Sequence, residues 1–154
     1  MKTIYCIDTS SFLDAWRRSY HPDAFPSFWL KIDEAFDCGR LFSSEEVYKE
    51  LGKKDDDLFN WAKSRKDMFL ETEQEIWDVG TEIVGQFPKL LHNVKGRLNA
   101  DAFVIAVAKL KGYTVVTEED YGTATKPKIP LICDAIGVNH MSLLELVLTE
   151  KWRF

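Results

Sequence analysis

Four acidic residues stand at the ends or starts of separate predicted elements, and their chemistry suits a metal ion. Asp8 ends the apolar segment TIYCID, Glu50 lies near the end of a short helix, Asp101 opens an apolar helix, and Glu119 follows the segment TVVT. In a parallel sheet the carboxyl ends of the strands meet at one rim, where open α/β sheets bind ligands. Carboxylates gathered there repel one another unless a cation, usually a divalent metal, neutralises them. The pattern therefore predicts metal-assisted hydrolysis.

Three of these acids also have a purely structural explanation. Asp8 could cap the helix that follows it, and Asp101 lies in a first turn, where the helix dipole favours a carboxylate. Glu119 belongs to the like-charge run Glu118–Asp120, which is typical of a solvated loop. Glu50 differs, because a negative charge near the end of a helix opposes the dipole. The functional interpretation depends on all four acids lying at the rim of one sheet.

Apolar periodicity, glycines and capping residues divide the chain into alternating strands and helices. Strands are predicted at 3–8, 41–42, 68–70, 113–117 and 138–141, and helices at 10–18, 26–38, 43–51, 56–66, 72–83, 88–91, 99–111, 129–136 and 142–150. Such alternation predicts right-handed βαβ units and a mostly parallel sheet in one domain, 1–154. The helix at 100–110 is apolar nearly all round, so we expect it to be the central buried helix.

Several helix boundaries are predicted from individual residues. Ser43 with Glu46, and Thr72 with Glu75, have the spacing of capping boxes. Asn99 and Ser142 are predicted N-caps. Gly39, Gly52, Gly112 and Gly137 are predicted to end the helices before them. Asp14, Asp33 and Asp134 fall within helices, and we expect them on the exposed surface.

Composition narrows the class of protein. The chain has 154 residues, with 45% hydrophobic and 29% charged residues, which are ordinary values for a globular domain. The apolar run Phe103 to Ala108, extended by Ala102, is too short to span a membrane. Asp8 interrupts any signal-peptide core, so we expect a cytoplasmic protein. Cys6, Cys38 and Cys133 are odd in number and form no CxxC, which disfavours a disulfide scaffold or a zinc site.

The formal net charge of −5 argues against tight non-specific binding of nucleic acid but does not exclude a nuclease with an acidic site. A polyanion would have to bind local basic patches, each of which, taken singly, is better explained as a solvated face. These patches are Lys53–Lys54, Lys63–Lys66, Lys95–Arg97 and Lys126–Lys128. The sequence contains no HExxH, GxSxG, GxxxxGK or GxGxxG motif, which removes support for a zincin, a serine hydrolase, a P-loop or a Rossmann site.

Four short motifs in a fixed order resemble the PIN domain. They are IDTS at 7–10, VYKEL at 47–51, ADAFVIAVA at 100–108 and VTEE at 116–119. They span nearly the whole chain, and the set is most similar to the VapC-like toxin branch of that family. Each motif is unspecific alone, and the ordered set is fairly specific.

The resemblance implies a three-layer α/β/α sandwich with a five-stranded parallel sheet. It further implies a Mg²⁺- or Mn²⁺-dependent ribonuclease with Asp8, Glu50, Asp101 and Glu119 as catalytic residues and metal ligands. Ser10 and Thr117 match positions that support the acidic site by hydrogen bonds. The family has Asp at the fourth acidic position, which here would be filled by Glu119 or by its neighbour Asp120. A cognate antitoxin and a homodimer are the partners that the resemblance implies, besides RNA.

Two other functions fit parts of the pattern. A catalytically inert PIN-like module would use the acidic rim to bind a basic partner without metal. A phosphatase of the haloacid-dehalogenase type also begins with an Asp after its first strand, but it uses a second Asp two residues later. That position here is Ser10, which disfavours the phosphatase.

Overall fold

A parallel sheet organises the fold. The computed structural model describes residues 2–88 and 100–154. Within them five strands pair in the order β3-β2-β1-β4-β5, all parallel. The strands are β1 (Tyr5–Ile7), β2 (Leu41–Ser44), β3 (Phe69–Leu70), β4 (Thr114–Val116) and β5 (His140–Met141). The predicted α/β/α class with a parallel five-stranded sheet is confirmed.

Helices connect the strands, as parallel pairing requires. After each strand the chain must return to the end of the sheet at which the strands begin. The helices are α1 (Thr9–Asp14), which continues as a π-helical turn at Ala15–Ser19, α2 (Pro26–Asp37), α3 (Glu45–Lys54), α4 (Asp56–Lys63), a 3₁₀ turn at Lys66–Met68, α5 (Gln74–Gln86), α6 (Ala100–Lys111), α7 (Ile129–Ile136) and α8 (Leu143–Thr149). Among the described residues, no helix is long and apolar enough to cross a membrane.

Helix α6 is the centre of the hydrophobic core, as its sequence predicted. Every side chain from Ala102 to Ala108 is buried. The helix packs against β1, β2 and β4 and against α3 and α5. Burial on all sides explains why this helix has no polar stripe between its first and last turns. Asp101 is therefore held at the start of a helix that cannot shift without disturbing the core.

Three helix ends lie where the sequence placed them. Helices α2, α6 and α7 are followed by Gly39, Gly112 and Gly137, each with a left-handed φ between 73° and 79°. A side chain is disfavoured in that conformation, so glycine fits it. Ser142 and Glu145 form the capping box of α8.

Two predicted capping boxes are wrong because tertiary contacts use the serine and the threonine differently. Strand β2 continues through Ser43, whose buried hydroxyl donates to the Ile7 carbonyl at 2.6 Å, and Ser44 caps α3 instead. The Thr72 amide donates to the Glu45 carboxylate at 2.9 Å. Helix α5 consequently begins two residues later than the predicted cap, at Gln74.

Gly52 does not end α3, which continues to Lys54. A Cβ atom at Gly52 would lie 3.2 Å from the ring of Phe59, so this glycine allows α4 to pack closely rather than stopping a helix. Asp55 separates the two helices and caps α4 by accepting from the Leu58 amide at 3.1 Å. Helix α4 ends at Lys63, three residues before the predicted end. The predicted helix beyond Pro88 and the predicted cap at Asn99 lie outside the described residues.

Candidate metal centre

Asp8 leaves the carboxyl end of β1 and is held in place by three polar groups. Its side chain is 1% exposed. One carboxylate oxygen accepts from the Ser11 amide at 2.9 Å, which makes Asp8 the N-cap of α1, and the other accepts from the Thr117 hydroxyl at 2.7 Å. The Ser10 hydroxyl lies 2.9 and 2.8 Å from the two oxygens. Asp8 therefore caps α1 and also lies at the rim of the sheet, so the two interpretations of this residue are compatible.

Asp101 and Glu119 reach the same point from two other elements. Asp101 lies in the first turn of α6, and Glu119 follows β4, the strand beside β1. Each of Asp8, Asp101 and Glu119 has a carboxylate oxygen within 4.8 Å of the others. Glu119 is oriented by its own amide, which donates to the Thr117 hydroxyl at 3.1 Å, and by the Ile129 amide, which donates to its side chain at 3.4 Å. Three distant segments thus form one acidic cluster.

The electrostatics of this cluster are unfavourable without a cation. The pKa of Asp101 is held well above its ordinary value. Burial is the largest cause, and the negative charges of Glu119, Asp8 and Glu50 add to it. Burial also raises the pKa of Glu119, with the Asp8 charge adding to it. The pKa of Asp8 is raised by burial, although hydrogen bonds from Thr117, Ser11 and Ser10 oppose that rise. A divalent cation would relieve this repulsion.

Glu50 lies beside the cluster rather than within it. It is on α3, and burial and the Asp8 charge raise its pKa, whereas the Lys54 charge lowers it. Its carboxylate is 3.9 Å from the Lys54 ammonium. Because α3 continues four residues beyond Glu50, the argument that its charge opposes the end of a helix loses force. Its electrostatic coupling to Asp8 and Asp101 is the better reason to include Glu50 in the site.

The structure distinguishes Glu119 from Asp120, which the sequence left open. The Asp120 side chain is 77% exposed and lies 3.6 Å from the Lys128 ammonium. Its carboxylate also accepts from the Gly122 amide at 2.8 Å, as in an ordinary turn. Asp120 therefore belongs to the loop after β4, and Glu119 is the acid that faces Asp8 and Asp101.

Two residues that sequence reasoning did not select help to build the site. The Ser11 hydroxyl donates to the Val116 carbonyl at 3.1 Å and so links α1 to the end of β4. Glu118 accepts from the Leu143 amide at 2.6 Å, which ties the loop carrying Glu119 to the start of α8. Ser11 was visible in the sequence as the third residue after Asp8. Nothing local in the sequence distinguishes Glu118 from its acidic neighbours.

Among the other acids that sequence placed on helices, Asp14 differs from the expectation. Its side chain is mostly buried, because Arg18 and the Ser19 hydroxyl both bond to it. Asp33 pairs with Arg65, and Asp134 with His140. These contacts explain the three residues structurally.

The donor set suits a hard divalent cation. Only carboxylate oxygens from Asp8, Asp101 and Glu119 make up the group that the described residues offer to a metal. Carboxylates select Mg²⁺, Mn²⁺ or Ca²⁺, whereas zinc and copper sites are rich in thiolate and imidazole. The residues present therefore fit a hard divalent cation of this group.

Comparison with known families decides to which family the chain is assigned. The family model described as a domain of unknown function (DUF4411) matches residues 5–154, nearly the whole chain. The chain belongs to the DUF4411 family. No curated protein matches the DUF4411 chain.

Three solved structures are similar to the DUF4411 chain over most of its length. FitAcB from Neisseria gonorrhoeae is similar with a TM-score of 0.51 and 17% identity, over 90% of this chain and 96% of that one. VapBC2 from Rickettsia felis, bound to a DNA fragment from its promoter, gives a TM-score of 0.47 and 16% identity, over 91% and 98%. PAE2754 from Pyrobaculum aerophilum gives 0.38 and 18%, over 89% and 98%. The likeness to FitAcB confirms the PIN-domain fold, similar to that of VapC-like proteins, which the four motifs predicted.

Proposed function

We propose that the DUF4411 chain is a divalent-metal-dependent endoribonuclease and the toxin of a toxin–antitoxin pair. The observation that carries this proposal is the approach of Asp8, Asp101 and Glu119, whose carboxylate oxygens lie within 4.8 Å of one another. The PIN-domain fold supports it by analogy, which raises the expectation of nuclease activity without assigning residue roles.

The proposed metal ligands are the three clustered carboxylates, with Glu50 either a further ligand or bonded to a metal-bound water. Mg²⁺ or Mn²⁺ held there would supply a Lewis acid that lowers the pKa of water and stabilises charge on the phosphate oxygens. The affinity without RNA should be low, because Mg²⁺ retains several waters and is bound best together with substrate phosphates.

The protein's own groups fix the geometry of the reaction. The Ser10 and Thr117 hydroxyls and the Ser11 amide hold both oxygens of Asp8 and favour its ionised form. The Ile129 amide holds one oxygen of Glu119 at the start of α7. These contacts pre-organise two ligands before any ion binds, so little reorganisation is needed during the reaction.

The family resemblance extends the proposal to partners. FitAcB and VapBC2 support an antitoxin as the partner of the DUF4411 chain. We propose that a cognate antitoxin covers the acidic cluster and prevents RNA from reaching it. We also propose that two copies of the chain form a homodimer.

Replacement of Asp101 by Asn tests the proposed function. The variant keeps the size of the side chain but loses a charged ligand, so RNA cleavage with Mg²⁺ or Mn²⁺ should fall by roughly 100-fold or more. Glu75→Gln is the matched control, because Glu75 is an exposed carboxylate in the first turn of α5 and should be dispensable. Cleavage of labelled RNA by purified protein is the measurement.

Two outcomes would contradict the proposal. Cleavage by Asp101→Asn at the wild-type rate would show that this carboxylate is not a ligand in the reaction. Absence of cleavage by the wild-type protein, with metal-independent binding of a basic partner, would favour the inert interaction module.

A further inference from the structure

Two lysines flank the acidic cluster, one on each side. Lys54 is the last residue of α3, the helix that follows β2, and its ammonium lies 3.9 Å from Glu50. Lys128 immediately precedes α7, which follows β4, and its ammonium lies 3.6 Å from Asp120. Both lysines lie beside the site, because Lys54 contacts Glu50 and Lys128 is next in the chain to the residue whose amide donates to Glu119.

The order of the strands separates the two lysines. Asp8 leaves the end of β1, which lies between β2 and β4 in the sheet. Neighbouring strands are about 4.8 Å apart, so β2 and β4 are separated by roughly 10 Å across the position of Asp8. Helix α3, which carries Lys54, therefore starts on the β2 side of Asp8, and Lys128 lies in the segment that follows β4 on the other side.

Both lysines form only weak ion pairs with their present carboxylate partners. Lys54 and Lys128 are 49% and 48% exposed, and their ion pairs are 3.9 and 3.6 Å long. Ion pairs that are this exposed contribute little to stability, so a phosphate can displace the carboxylate at little cost. Lysine binds phosphate as a flexible point charge.

An RNA backbone needs such charges at this site. The net charge of −5 and the carboxylates beside Asp8 repel the phosphates that flank the cleaved one. A metal ion in the cluster compensates charge only at the phosphate that it contacts. Basic side chains on both sides would compensate the neighbouring phosphates.

We propose that Lys54 and Lys128 each bind one RNA phosphate, on opposite sides of the phosphate that is cleaved. This inference rests on the proposed ribonuclease function and adds to it a path for the strand along the rim. It makes both lysines positioning residues for substrate.

Kinetics of Lys54→Ala and Lys128→Ala test this assignment. Each variant should raise KM several-fold with little change in kcat, because the flanking phosphates are bound alike before and during the reaction. Each should also reduce the slope of log KM against log salt by about 0.7, the value for one single-strand phosphate contact. Lys→Arg at either position should restore most of the affinity.

Neutral methylphosphonate linkages identify which phosphate each lysine binds. In the wild-type protein, one such linkage on either side of the cleaved phosphate should raise KM. In the variant that lacks the matching lysine, the same linkage should have no further effect, since the contact is already lost. Additive effects at both linkages in both variants would overturn the assignment.

Lys31→Ala is the matched control. Lys31 is a 38% exposed lysine, 3.4 Å from Glu34, and it lies beside Lys2 and Arg40 at the opposite, amino ends of β1 and β2. Its removal should leave KM and the salt slope unchanged. An equal effect of Lys31→Ala would show that net charge alone governs binding and would overturn the inference.

RNA binding to an Asp101→Asn background, followed by fluorescence anisotropy, separates this inference from the proposed function. Binding that weakens on loss of Lys54 or Lys128, in a protein whose wild type never cleaves, would retain the RNA path and reject the nuclease. RNA cleavage that is unchanged in both lysine variants would support the ribonuclease function and contradict the proposed RNA path. Absence of both binding and cleavage would reject both.

Discussion

Asp101 is the residue at which the electrostatic cost of the site is concentrated. Its carboxyl group lies in the first turn of α6, where the helix dipole is favourable. Burial and three neighbouring acids nevertheless raise its pKa well above the ordinary value of 3.8. The dipole therefore does not compensate the cluster, and structural capping alone does not explain an acid at this position.

The first prediction concerns the pH dependence of stability without metal. Below pH 3.8 Asp101 is protonated in both the folded and the unfolded chain, and its repulsion is absent. As the pH rises from 3.8 towards the raised folded pKa, the unfolded chain releases a proton that the folded protein retains, so this group progressively destabilises the metal-free protein until the folded carboxyl also ionises. Asn cannot ionise. In EDTA, Asp101→Asn should therefore gain in Tm relative to the wild type as the pH rises from about 4 to about 8.

Differential scanning fluorimetry of both proteins in parallel is the measurement. Comparison with the variant removes the contributions of groups that titrate in both, such as Glu150. Addition of Mg²⁺ should stabilise the wild type and not the variant, because a ligand stabilises only the fold that binds it. A Tm difference that is independent of pH and of Mg²⁺ would contradict the electrostatic account of the cluster.

At the residue scale, the sequence predicts which acidic residues meet when their positions follow from the parallel sheet alone. Asp8 and Glu119 both follow strands, and a parallel sheet brings the carboxyl ends of its strands to one rim. The structure adds that β1 and β4 are neighbours. The sequence could not show whether Glu119 or Asp120 faces the other acids of the cluster. That choice depends on the Ile129 amide and on a turn that closes on Gly122, which are contacts between segments.

At the scale of elements, the interface between α5 and α6 controls how Asp101 is held. Gly80 of α5 is buried against the ring of Phe103, two residues after Asp101. That ring is itself buried and stacks on Trp77, with 5.5 Å between the ring centroids. A change of size at Gly80 should therefore be transmitted to the first turn of α6.

The second prediction compares two glycines of α5. A Cβ at Gly80 would lie 3.2 Å from Phe103, so Gly80→Ala should destabilise the protein by about 1 kcal/mol or more through overpacking. Gly85 has no atom within 4 Å of its Cβ position, and Gly85→Ala should stabilise the helix by about 0.5–1 kcal/mol. Urea unfolding of both variants is the measurement, and equal effects would show that packing on Phe103 does not limit the interface.

Helix and strand boundaries were predictable where a local signal decides them. Gly137 ends α7 and Ser142 caps α8, because a left-handed residue and a capping box act within a few residues. Ser43 was assigned wrongly because its hydroxyl bonds to Ile7 in another strand. Gly52 was assigned wrongly because its role is to admit Phe59 of α4. These two errors share one cause, a tertiary contact that outweighs the local preference.

At the scale of the whole molecule, an ion pair joins the end of the chain to the start of the sheet. Glu150 accepts from both terminal nitrogens of Arg40, at 2.6 and 2.7 Å, and from the Tyr5 hydroxyl at 2.6 Å. Tyr5 and Arg40 lie at the amino ends of β1 and β2, opposite the acidic cluster. The contact therefore fastens the segment after α8 without touching the candidate metal centre.

The third prediction separates stability from metal binding. Glu150→Ala leaves Arg40 and Tyr5 without their partner, and it should reduce the free energy of unfolding by about 2 kcal/mol, less than the loss at a fully buried pair. Mn²⁺ affinity should stay at the wild-type value, because the change lies at the other end of the strands. Urea unfolding and calorimetric titration with Mn²⁺ are the two measurements. A large loss of Mn²⁺ affinity would show that the two ends of the sheet are coupled.

The most direct test of the acidic cluster is anomalous diffraction from crystals soaked in Mn²⁺. The account predicts one strong peak bonded to Asp8, Asp101 and Glu119, about 2.0–2.3 Å from an oxygen of each carboxylate. The peak should vanish in Asp101→Asn crystals treated in the same way. A wild-type peak elsewhere, or none at the three carboxylates at saturating Mn²⁺, would contradict the central claim.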